Sequence, residues 1–399
     1  MSKVFKIAIA GFGTVGGGVG DVLHMNAESI AKKAGKKVEI KYILDKFIRE
    51  DTIYRDRYIS DFATFEQDPE VELMVETIGG SGIAYEFTKR ALMAGKHVVT
   101  ANKQLVAEHG RELLRIAAEH NVCYLFEASV GGGIPVLHPL TQCMSANQVR
   151  QIYGIMNGTT NYILSQMVYA GATFADALKE AQQKGYAEAD PTADVEGHDA
   201  CRKTCILANL AYGKEVKPQD VDTCGITKVD LADVALLQKK GYRVKLLGRV
   251  LGQNDGSVAA YVSPHVLPES NPIAHVDDVF NAIVVDGNAT DEVMFFGKGA
   301  GSLPTASAVV SDIIEIASRE TDRPVNSWDE DAVICDVKKL PMRFYLRCAD
   351  SAARIAEVLG AVELLQEGEE CAVITGEISR EELENKAAAL SVKAQWPVL

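Results

Sequence analysis

The strongest constraint on the fold of this chain lies near its amino terminus, where an apolar strand leads directly into a glycine-rich turn. Residues 4–10 read VFKIAIA, residues 11–16 read GFGTVG, and a helical pattern covers residues 15–23. Glycines in this context let the backbone approach a pyrophosphate at a helix N-terminus. A lone GxGxxG is a weak motif, but the flanking strand and helix favour a dinucleotide site over an ordinary turn. The candidate contacts are Gly11, Phe12, Gly13, Thr14, Val15 and Gly16.

The second predicted strand, residues 38–44, ends at Asp45. An acid at this place commonly binds the adenosine ribose and favours NAD, whose free 2′-hydroxyl can donate to it. Lys46 and Arg49 follow closely and would instead suit the 2′-phosphate of NADP. A solvated turn after a strand would explain the same residues. The sequence therefore leaves the choice between NAD and NADP open.

Strands and helices continue to alternate up to about residue 148. This alternation predicts an α/β domain with a doubly wound parallel sheet and right-handed crossovers. Ligands of such sheets sit beyond the carboxyl ends of the strands, and Thr77, Lys103 and Glu127 lie at such ends. Each could be a solvated loop residue, but together they outline one edge of the sheet. The further strands are predicted at residues 73–78, 97–100 and 122–126.

The pattern changes to a mixed α+β one from about residue 149. A predicted strand over residues 149–156 leads into the turn NGTTN, residues 157–161, which can begin a helix. The turn at Gly158 and Thr159 offers backbone N–H groups and a hydroxyl, which suit a carboxylate or an amino acid. The alternative is a plain helix cap. Later strands are predicted at residues 244–251, 258–266 and 282–286.

A dense charged run, GYAEADPTADVEGHDACRK, spans residues 185–203 and precedes an apolar segment. Asp190 and Pro191 form a helix-start signal, and a helix continuing to about residue 210 would place Asp199 and Lys203 on its apolar face. An ordinary i,i+4 ion pair is the alternative. Buried charges are costly unless they are paired or used, so their apolar setting favours a ligand or catalytic site. The other residues of that face are Ile206, Leu207 and Leu210.

Composition excludes several classes of protein. The 399 residues carry a formal net charge of −14, which argues against a nucleic-acid or anionic-membrane surface. None of the eight cysteines forms a CxxC pair, and His198, Cys201 and Cys205 lack the spacing of metal ligands. No secretory pattern and no run of about 18 apolar residues occurs, so we expect a reduced, cytoplasmic protein.

Three consecutive domains are predicted from these patterns. Residues 1–148 form the nucleotide-binding domain, residues 149–320 a substrate and dimerisation domain, and residues 321–399 a small α+β tail with alternating strands and helices. A second glycine-rich piece, FGKGAG at residues 296–301, is not a Walker A motif, because no Lys-Ser or Lys-Thr follows its last glycine. The glycines at 297–301 would let a backbone close over a cofactor.

Six motifs in one order resemble homoserine dehydrogenase, the enzyme that interconverts L-homoserine and L-aspartate 4-semialdehyde with NAD(P) in threonine and methionine biosynthesis. The resemblance covers roughly residues 5–320, and several motifs in one order are far more specific than any single one. It implies a Rossmann-type NAD(P)-binding domain and a homodimer. The motifs are GFGTVGGGV, TANKQLVA, FEASVGGGIPV, NGTTNYIL, GYAEADPTADVEGHDACRK and GKGAG.

The resemblance also implies a role for particular residues. Lys203 and Lys103 would be the catalytic lysines, assisted by Asp199, and a desolvated Lys203 suits the base that alcohol oxidation needs. The implied substrate contacts are Glu188, Asp199, Asp194, Gly158 and Thr159. The implied cofactor contacts include Gly13, Thr14, Val15, Thr77, Lys103, Gly299 and Gly301, besides Asp45 and Lys46. A sodium-type cation would be held by the Glu127 side chain and the carbonyls of Val130, Gly132 and Ile134.

Two departures from the family pattern matter. Many members carry an arginine just before the acid that ends the second strand, linked to NADP use, where this chain has Leu44. Bacterial members often end in an ACT domain that senses threonine, but Ala349–Ala353 stands where such domains usually show a Pro-Gly turn. Two other hypotheses are a different amino-acid or semialdehyde dehydrogenase and a non-catalytic nucleotide-binding sensor. The retained lysines and acids argue against both.

Overall fold

The computed structural model describes residues 4–319 and 327–399, and the chain folds into two compact units. The predicted first domain, residues 1–148, opens unit 1, while residues 149–320 are shared between the units. The predicted boundary at residues 320 and 321 lies outside the described residues. Unit 1 comprises Met1–Gln148, Cys205–Pro218 and Gly297–Asp331, and unit 2 comprises Val149–Thr204, Gln219–Phe296 and Ala332–Leu399.

Nineteen strands are present in the described residues. In chain order they are β1 (Val4–Ala10), β2 (Lys37–Leu44), β3 (Tyr58–Ile59), β4 (Val71–Glu76), β5 (His97–Thr100), β6 (Tyr124–Leu125), β7 (Val149–Ile155), β8 (Lys214–Glu215), β9 (Asp222–Thr223), β10 (Tyr242–Gly252), β11 (Val258–Pro268), β12 (Phe280–Gly287), β13 (Asp291–Lys298), β14 (Glu330–Asp331), β15 (Pro341–Cys348), β16 (Val362–Gln366), β17 (Cys371–Thr375), β18 (Ile378–Ser379) and β19 (Val392–Val398).

Thirteen α-helices are present in the same residues, and none of them is long and apolar enough to cross a membrane. They are α1 (Thr14–Met25), α2 (Ala27–Ala34), α3 (Phe62–Glu66), α4 (Gly82–Met93), α5 (Lys103–Glu119), α6 (Gly158–Tyr169), α7 (Phe174–Gln183), α8 (Thr192–Val195), α9 (His198–Tyr212), α10 (Leu231–Lys239), α11 (Ser302–Ser318), α12 (Ala352–Leu359) and α13 (Arg380–Ala387).

Unit 1 contains a six-stranded parallel sheet in the order β3-β2-β1-β4-β5-β6. Its order reverses direction at β1 and β4, as in doubly wound nucleotide-binding folds. The core joins Ile7 and Val75 of the sheet to Val19 of α1 and to Val309 and Ile313 of α11. The predicted doubly wound α/β fold is therefore confirmed, with one helix supplied from far along the chain.

Unit 2 contains a large mixed sheet. Strands β12, β7, β10 and β11 pair antiparallel in that order, and β19 then pairs parallel to β11 through Val266 and Val398. Strands β15, β17 and β16 extend the same sheet by antiparallel pairing. The strands and helices predicted for the tail are present. Residues 332–399 belong to unit 2 because their strands continue its sheet rather than form a separate one.

Two local predictions differ from the structure. The continuous helix expected from Asp190 to about residue 210 is interrupted, because Gly197 adopts a left-handed φ of +85° between α8 and α9. Strand β13 was not predicted as a strand; its alternating exposed and half-buried residues are typical of a sheet edge with weak apolar patterning. Gly297 and Lys298, assigned to the glycine-rich piece, are the last residues of this strand.

Candidate functional site

The glycine-rich turn after β1 is built around close backbone contacts within unit 1. Gly11 has a φ of +89°, and a β-carbon there would meet the backbone of Thr77 at 2.8 Å. The Thr77 hydroxyl donates to the Gly11 carbonyl at 2.6 Å. The glycine-rich turn and the end of β4 thus fix each other's position. The first turn of α1, from Thr14, is a helix N-terminus suited to a phosphate.

Asp45 is tied to the same turn. Its carboxylate accepts from the backbone N–H of Phe12 and, at 3.1 Å, from that of Phe47. Arg49 lies against Gly17 on the first turns of α1, where a β-carbon would collide with its guanidinium. Lys46 is exposed. The acidic Asp45 and the basic Arg49 therefore both flank the turn, and the geometry does not decide between NAD and NADP.

Glu76, the last residue of β4, is a buried acid that the sequence reasoning missed. One carboxylate oxygen accepts from the N–H groups of Ile78 at 2.8 Å and Gly79 at 3.3 Å, and the other accepts from the Thr100 hydroxyl at 2.5 Å. Burial raises the pKa of this carboxyl despite these donors. A carboxylate inside the apolar strand LMVETI was the available signal, because it needs partners to be buried.

The network continues to the predicted catalytic Lys103. The Thr100 hydroxyl accepts from the Asn102 N–H at 2.9 Å, and the Asn102 side chain caps α5 by accepting from the Leu105 N–H at 3.1 Å. Lys103 is the first residue of that helix and is half-buried. The ends of β4 and β5 and the start of α5 are therefore one hydrogen-bonded assembly.

The predicted cation residues lie in the turn after β6. The buried Glu127 carboxylate accepts from the N–H groups of Val136 at 2.6 Å, Leu137 at 2.9 Å and His138 at 2.6 Å. Burial raises its pKa, and its own N–H donates to buried Asp312 at 3.0 Å. The turn also carries Val130, Gly132 and Ile134. Within the described residues no group of three or more His, Cys, Asp or Glu could hold a metal.

The second glycine-rich segment packs on this turn within unit 1. Gly132 has a φ of +58°, and a β-carbon there would overlap the Gly299 carbonyl. The Gly133 N–H donates to the Lys298 carbonyl at 3.1 Å. Gly301 precedes α11, whose Ser302 hydroxyl donates to the Thr14 carbonyl at 2.7 Å. The structure thus brings the 299–301 segment next to the glycine-rich turn.

The candidate chemical centre of unit 2 is a buried lysine–aspartate pair. The Nζ of Lys203 lies 2.9 Å from the Asp199 carboxylate, and both side chains are less than one-tenth exposed. Lys203 also donates to the Met156 carbonyl at 2.6 Å, immediately after β7. The predicted apolar face is confirmed at Asp199, Lys203, Ile206 and Leu207, which are buried, while Leu210 is half-buried.

Asn157 joins this pair to the start of α6. Its amide nitrogen donates to Asp194 at 2.7 Å and to Asp199 at 3.0 Å, while its oxygen caps the helix by accepting from the Thr160 N–H at 2.8 Å. The plain helix cap and the ligand site were alternatives in the sequence, and one residue serves as cap and as a link to the acids. We define Asn157, Asp194, Asp199 and Lys203 as the lysine–aspartate cluster.

The remaining predicted substrate residues lie around this cluster in unit 2. Gly158 and Thr159 are the first two residues of α6, and the Thr159 hydroxyl donates to the Tyr186 carbonyl at 2.6 Å. Glu188 is exposed, two residues after Tyr186. A buried amine beside a carboxylate can pass a proton to and from a bound alcohol or carbonyl, and a helix N-terminus can bind a carboxylate.

Comparison with known proteins gives the family. Residues 11–127 match the model described as homoserine dehydrogenase, NAD binding domain, and residues 135–314 match the model described as homoserine dehydrogenase. A homoserine dehydrogenase from Neisseria gonorrhoeae is 45% identical over 325 residues, covering 79% of this chain and 73% of its own.

Solved structures agree. A homoserine dehydrogenase from Thiobacillus denitrificans superposes with a TM-score of 0.93 at 34% identity, covering 100% of this chain and 98% of that chain. A hyperthermophilic archaeal homoserine dehydrogenase in complex with NADPH gives a TM-score of 0.68 at 28% identity, covering 80% of this chain and 100% of that chain. This chain therefore belongs to the homoserine dehydrogenase family and is an NAD(P)-dependent oxidoreductase.

Proposed function

We propose that the lysine–aspartate cluster is where L-homoserine and L-aspartate 4-semialdehyde are interconverted. The observation that carries the proposal is the burial of Lys203 against Asp199, with Asn157 linking that acid to Asp194. Buried ionic groups of this kind are costly in a protein interior, and functional sites are where they concentrate.

Lys203 is the proposed proton carrier. Oxidation of the primary alcohol releases a hydroxyl proton, which the neutral amine of Lys203 accepts; in the reverse direction its ammonium form donates to the aldehyde oxygen. Asp199 stabilises the ammonium form, and the Met156 carbonyl fixes the direction of Nζ. General acid–base catalysis of this type typically contributes about 10²–10⁴-fold to the rate.

The polar ends of the amino acid are assigned to neighbouring residues. Carboxylates Glu188 and Asp199, supported by Asp194, suit the substrate ammonium. The start of α6, at Gly158 and Thr159, suits the substrate carboxylate because the first N–H groups of a helix have no partner within it. This division would select an amino acid over a simple alcohol.

The cofactor contacts are proposed within unit 1. When bound, a nicotinamide dinucleotide supplies the hydride acceptor or donor. The residues that fit it are the 11–16 turn, Thr77, Asp45 and Lys46, together with the 299–301 segment. Lys103 is proposed as the second catalytic lysine and as a cofactor contact. The archaeal relative was solved with NADPH, which supports a nucleotide cofactor here without deciding between NAD and NADP.

A monovalent cation, sodium by preference, is proposed at the turn after β6. The carbonyls of Val130, Gly132 and Ile134 are hard oxygen donors of the type that such ions use. The Glu127 carboxylate already accepts three N–H groups, so it would add charge to this site with only its remaining lone pairs.

Four broader assignments rest on the family resemblance. We propose a role in threonine and methionine biosynthesis, a cytoplasmic location, and a homodimer or a higher homo-oligomer. We also propose that residues 332–399 are a diverged ACT-like region. Its strands and helices fit that outline, while no residue in it is assigned to threonine binding.

A steady-state assay of the purified protein with L-homoserine tests the proposal. Reduction of NAD or NADP that depends on L-homoserine is expected, and the ratio of kcat/KM for the two cofactors shows the net effect of Asp45, Lys46 and Arg49. Cofactor binding without any L-homoserine-dependent reduction would overturn it in favour of another substrate or a sensor.

A further inference from the structure

Asn281 is a buried amide that none of the assignments above uses. The residue is 1% exposed, and neither its side-chain oxygen nor its nitrogen has a hydrogen-bond partner among the residues that the structure describes. Burying an amide without partners is costly, and most buried polar groups in proteins are paired. An amide left entirely unpaired therefore calls for an explanation specific to its place.

That place is beside the lysine–aspartate cluster. Asn281 lies near the start of β12, where the next residue, Ala282, pairs with Ile155 of β7. Antiparallel register sets Asn281 beside Met156, whose carbonyl accepts from Lys203. The unpaired amide thus lies beside the residue whose carbonyl accepts from the proposed proton carrier.

The amide also adjoins the first turn of α6. A β-carbon on Gly158 would lie 3.4 Å from the Asn281 side-chain oxygen and 2.7 Å from the Val279 carbonyl. Gly158 is the first residue of this 12-residue helix, after the Asn157 cap. A helix N-terminus that attracts anions and a buried, unpaired amide next to it are two independent observations at one position.

We propose that Asn281 is a positioning residue for the carboxylate end of the amino-acid substrate. When the first turn of α6 binds the carboxylate, the carboxamide of Asn281 forms a hydrogen bond with that turn. Substrate binding therefore relieves the cost of the unpaired amide. The inference rests on the proposed function, because it takes the substrate to be an amino acid bound at Gly158 and Thr159.

The variant Asn281→Leu tests this role, because its effect on the melting temperature and its effect on KM should differ. Leucine has the same branching and the same number of side-chain heavy atoms as asparagine, and it removes both unpaired polar groups, so the melting temperature should stay or rise. We expect KM for L-homoserine to rise about tenfold or more, since one lost interaction of about 1.4 kcal/mol gives that factor. The cofactor KM should change less than about twofold, because Asn281 lies near the substrate residues.

A substrate without a carboxylate and a calorimetric titration supply further readouts. For 3-amino-1-propanol, kcat/KM should be equal in wild type and Asn281→Leu. Direct titration with L-homoserine should show the same loss of affinity without turnover. Asn209→Leu is a matched control, because Asn209 is buried but accepts from the Val216 N–H at 2.7 Å. This control should melt earlier with an unchanged KM for L-homoserine.

The outcomes separate the two claims. A raised melting temperature with an unchanged KM for L-homoserine would overturn the role of Asn281 and leave the proposed function standing. A wild-type protein that neither oxidises nor binds L-homoserine would overturn both. If Asn281→Leu does not fold, Asn281→Ala replaces it, and the same KM split is required.

Discussion

At the scale of single residues, the lysine–aspartate cluster depends on how its buried charges and amides are partnered. Asp199 is held by Lys203 and Asn157, so removing its charge takes the carboxylate partner from the buried amine of Lys203. We predict that Asp199→Asn lowers kcat at least about 10²-fold. The same change should destabilise unit 2 by about 3–5 kcal/mol, as breaking buried ion pairs does.

Urea denaturation and steady-state kinetics of the same preparation check both effects. Asp190→Asn, in the exposed turn before α8, is the comparison, because that carboxylate bonds Thr192 in solvent. Asp190→Asn should retain full turnover. Equal losses in the two variants would remove the special role of Asp199.

We predict that His265 of β11 makes the stability of the protein depend on pH. Its ring is buried and stacked on Tyr261, and burial lowers its pKa to about 3 from the ordinary 6.5, with Arg249 adding to the shift. A lowered pKa in the folded state gives stability that is present above pH 6.5 and lost as the pH falls towards 3. Between pH 7 and pH 4 this residue should lower the free energy of unfolding by about 3 kcal/mol.

The prediction is checked by comparing the wild type with His265→Gln. The free energy of unfolding should fall more steeply with acid in the wild type by about that amount, since glutamine does not titrate. Parallel curves for the two proteins would show that His265 is not buried in its neutral form.

At the scale of elements, the turn at Gly132 and the 299–301 segment of unit 1 pack together without room for a side chain between them. The turn at Gly132 needs a left-handed backbone and also contacts the Gly299 carbonyl. Gly95 has a similar φ of +74° with open space around it. We predict that Gly95→Ala costs about 1 kcal/mol, the strain alone. Gly132→Ala should cost more and also weaken NAD(P) binding, because it displaces the 299–301 segment.

Thermal unfolding and a cofactor titration measure the two glycine variants. The strain is common to both, so the difference between them reports the collision with the Gly299 carbonyl. A cofactor Kd unchanged in Gly132→Ala would argue that the 299–301 segment does not contact the cofactor.

At the scale of the whole chain, residues 332–399 are fastened to the rest of unit 2 by a buried ion pair. Asp233 of α10 is fully buried and accepts from Arg347 Nε at 2.6 Å and Nη2 at 2.9 Å, and from the Tyr345 hydroxyl at 2.7 Å. We predict that Arg347→Met destabilises the protein by about 3–5 kcal/mol, because it leaves the buried carboxylate of Asp233 without a cationic partner.

The exposed pair of Arg354 and Glu357 provides the contrast. Its side chains are 46% and 70% exposed, and such pairs contribute about 0–1 kcal/mol. Arg354→Met should therefore leave urea denaturation almost unchanged. A similar effect of both variants would mean that the Asp233 contact does not hold the carboxyl-terminal region.

Sequence patterns predict those elements whose structure is determined by residues close together in the chain. The apolar strand before Gly11 and the four-residue spacing of Asp199 and Lys203 depend on periods of two and 3.6 residues, which are visible in a window of about ten. The break at Gly197 was missed because a single glycine is tolerated within many helices. It is the φ of +85° that ends α8 and begins α9 anew.

The unpredicted features depend on residues distant in sequence. The burial of Glu76 is explained by its hydrogen bond with Thr100, and Asn281 on β12 adjoins Gly158 at the start of α6. Helix α11 joins the core of unit 1 through contacts such as Ser302 with Thr14. A single sequence holds no local signal for such pairings, so the three predicted domains could not anticipate two units interleaved along the chain.

Lys203 is the proposed carrier of the reaction's proton, and two variants of α9 test this role. Lys203→Met keeps an unbranched side chain one atom shorter and removes the amine, and Arg202→Met changes the half-buried neighbour on another face of α9. With L-homoserine at saturation, we predict that Lys203→Met loses about 10²–10⁴-fold in kcat with cofactor Kd unchanged, while Arg202→Met keeps its turnover. Near-normal turnover in folded Lys203→Met would show that another group carries the proton.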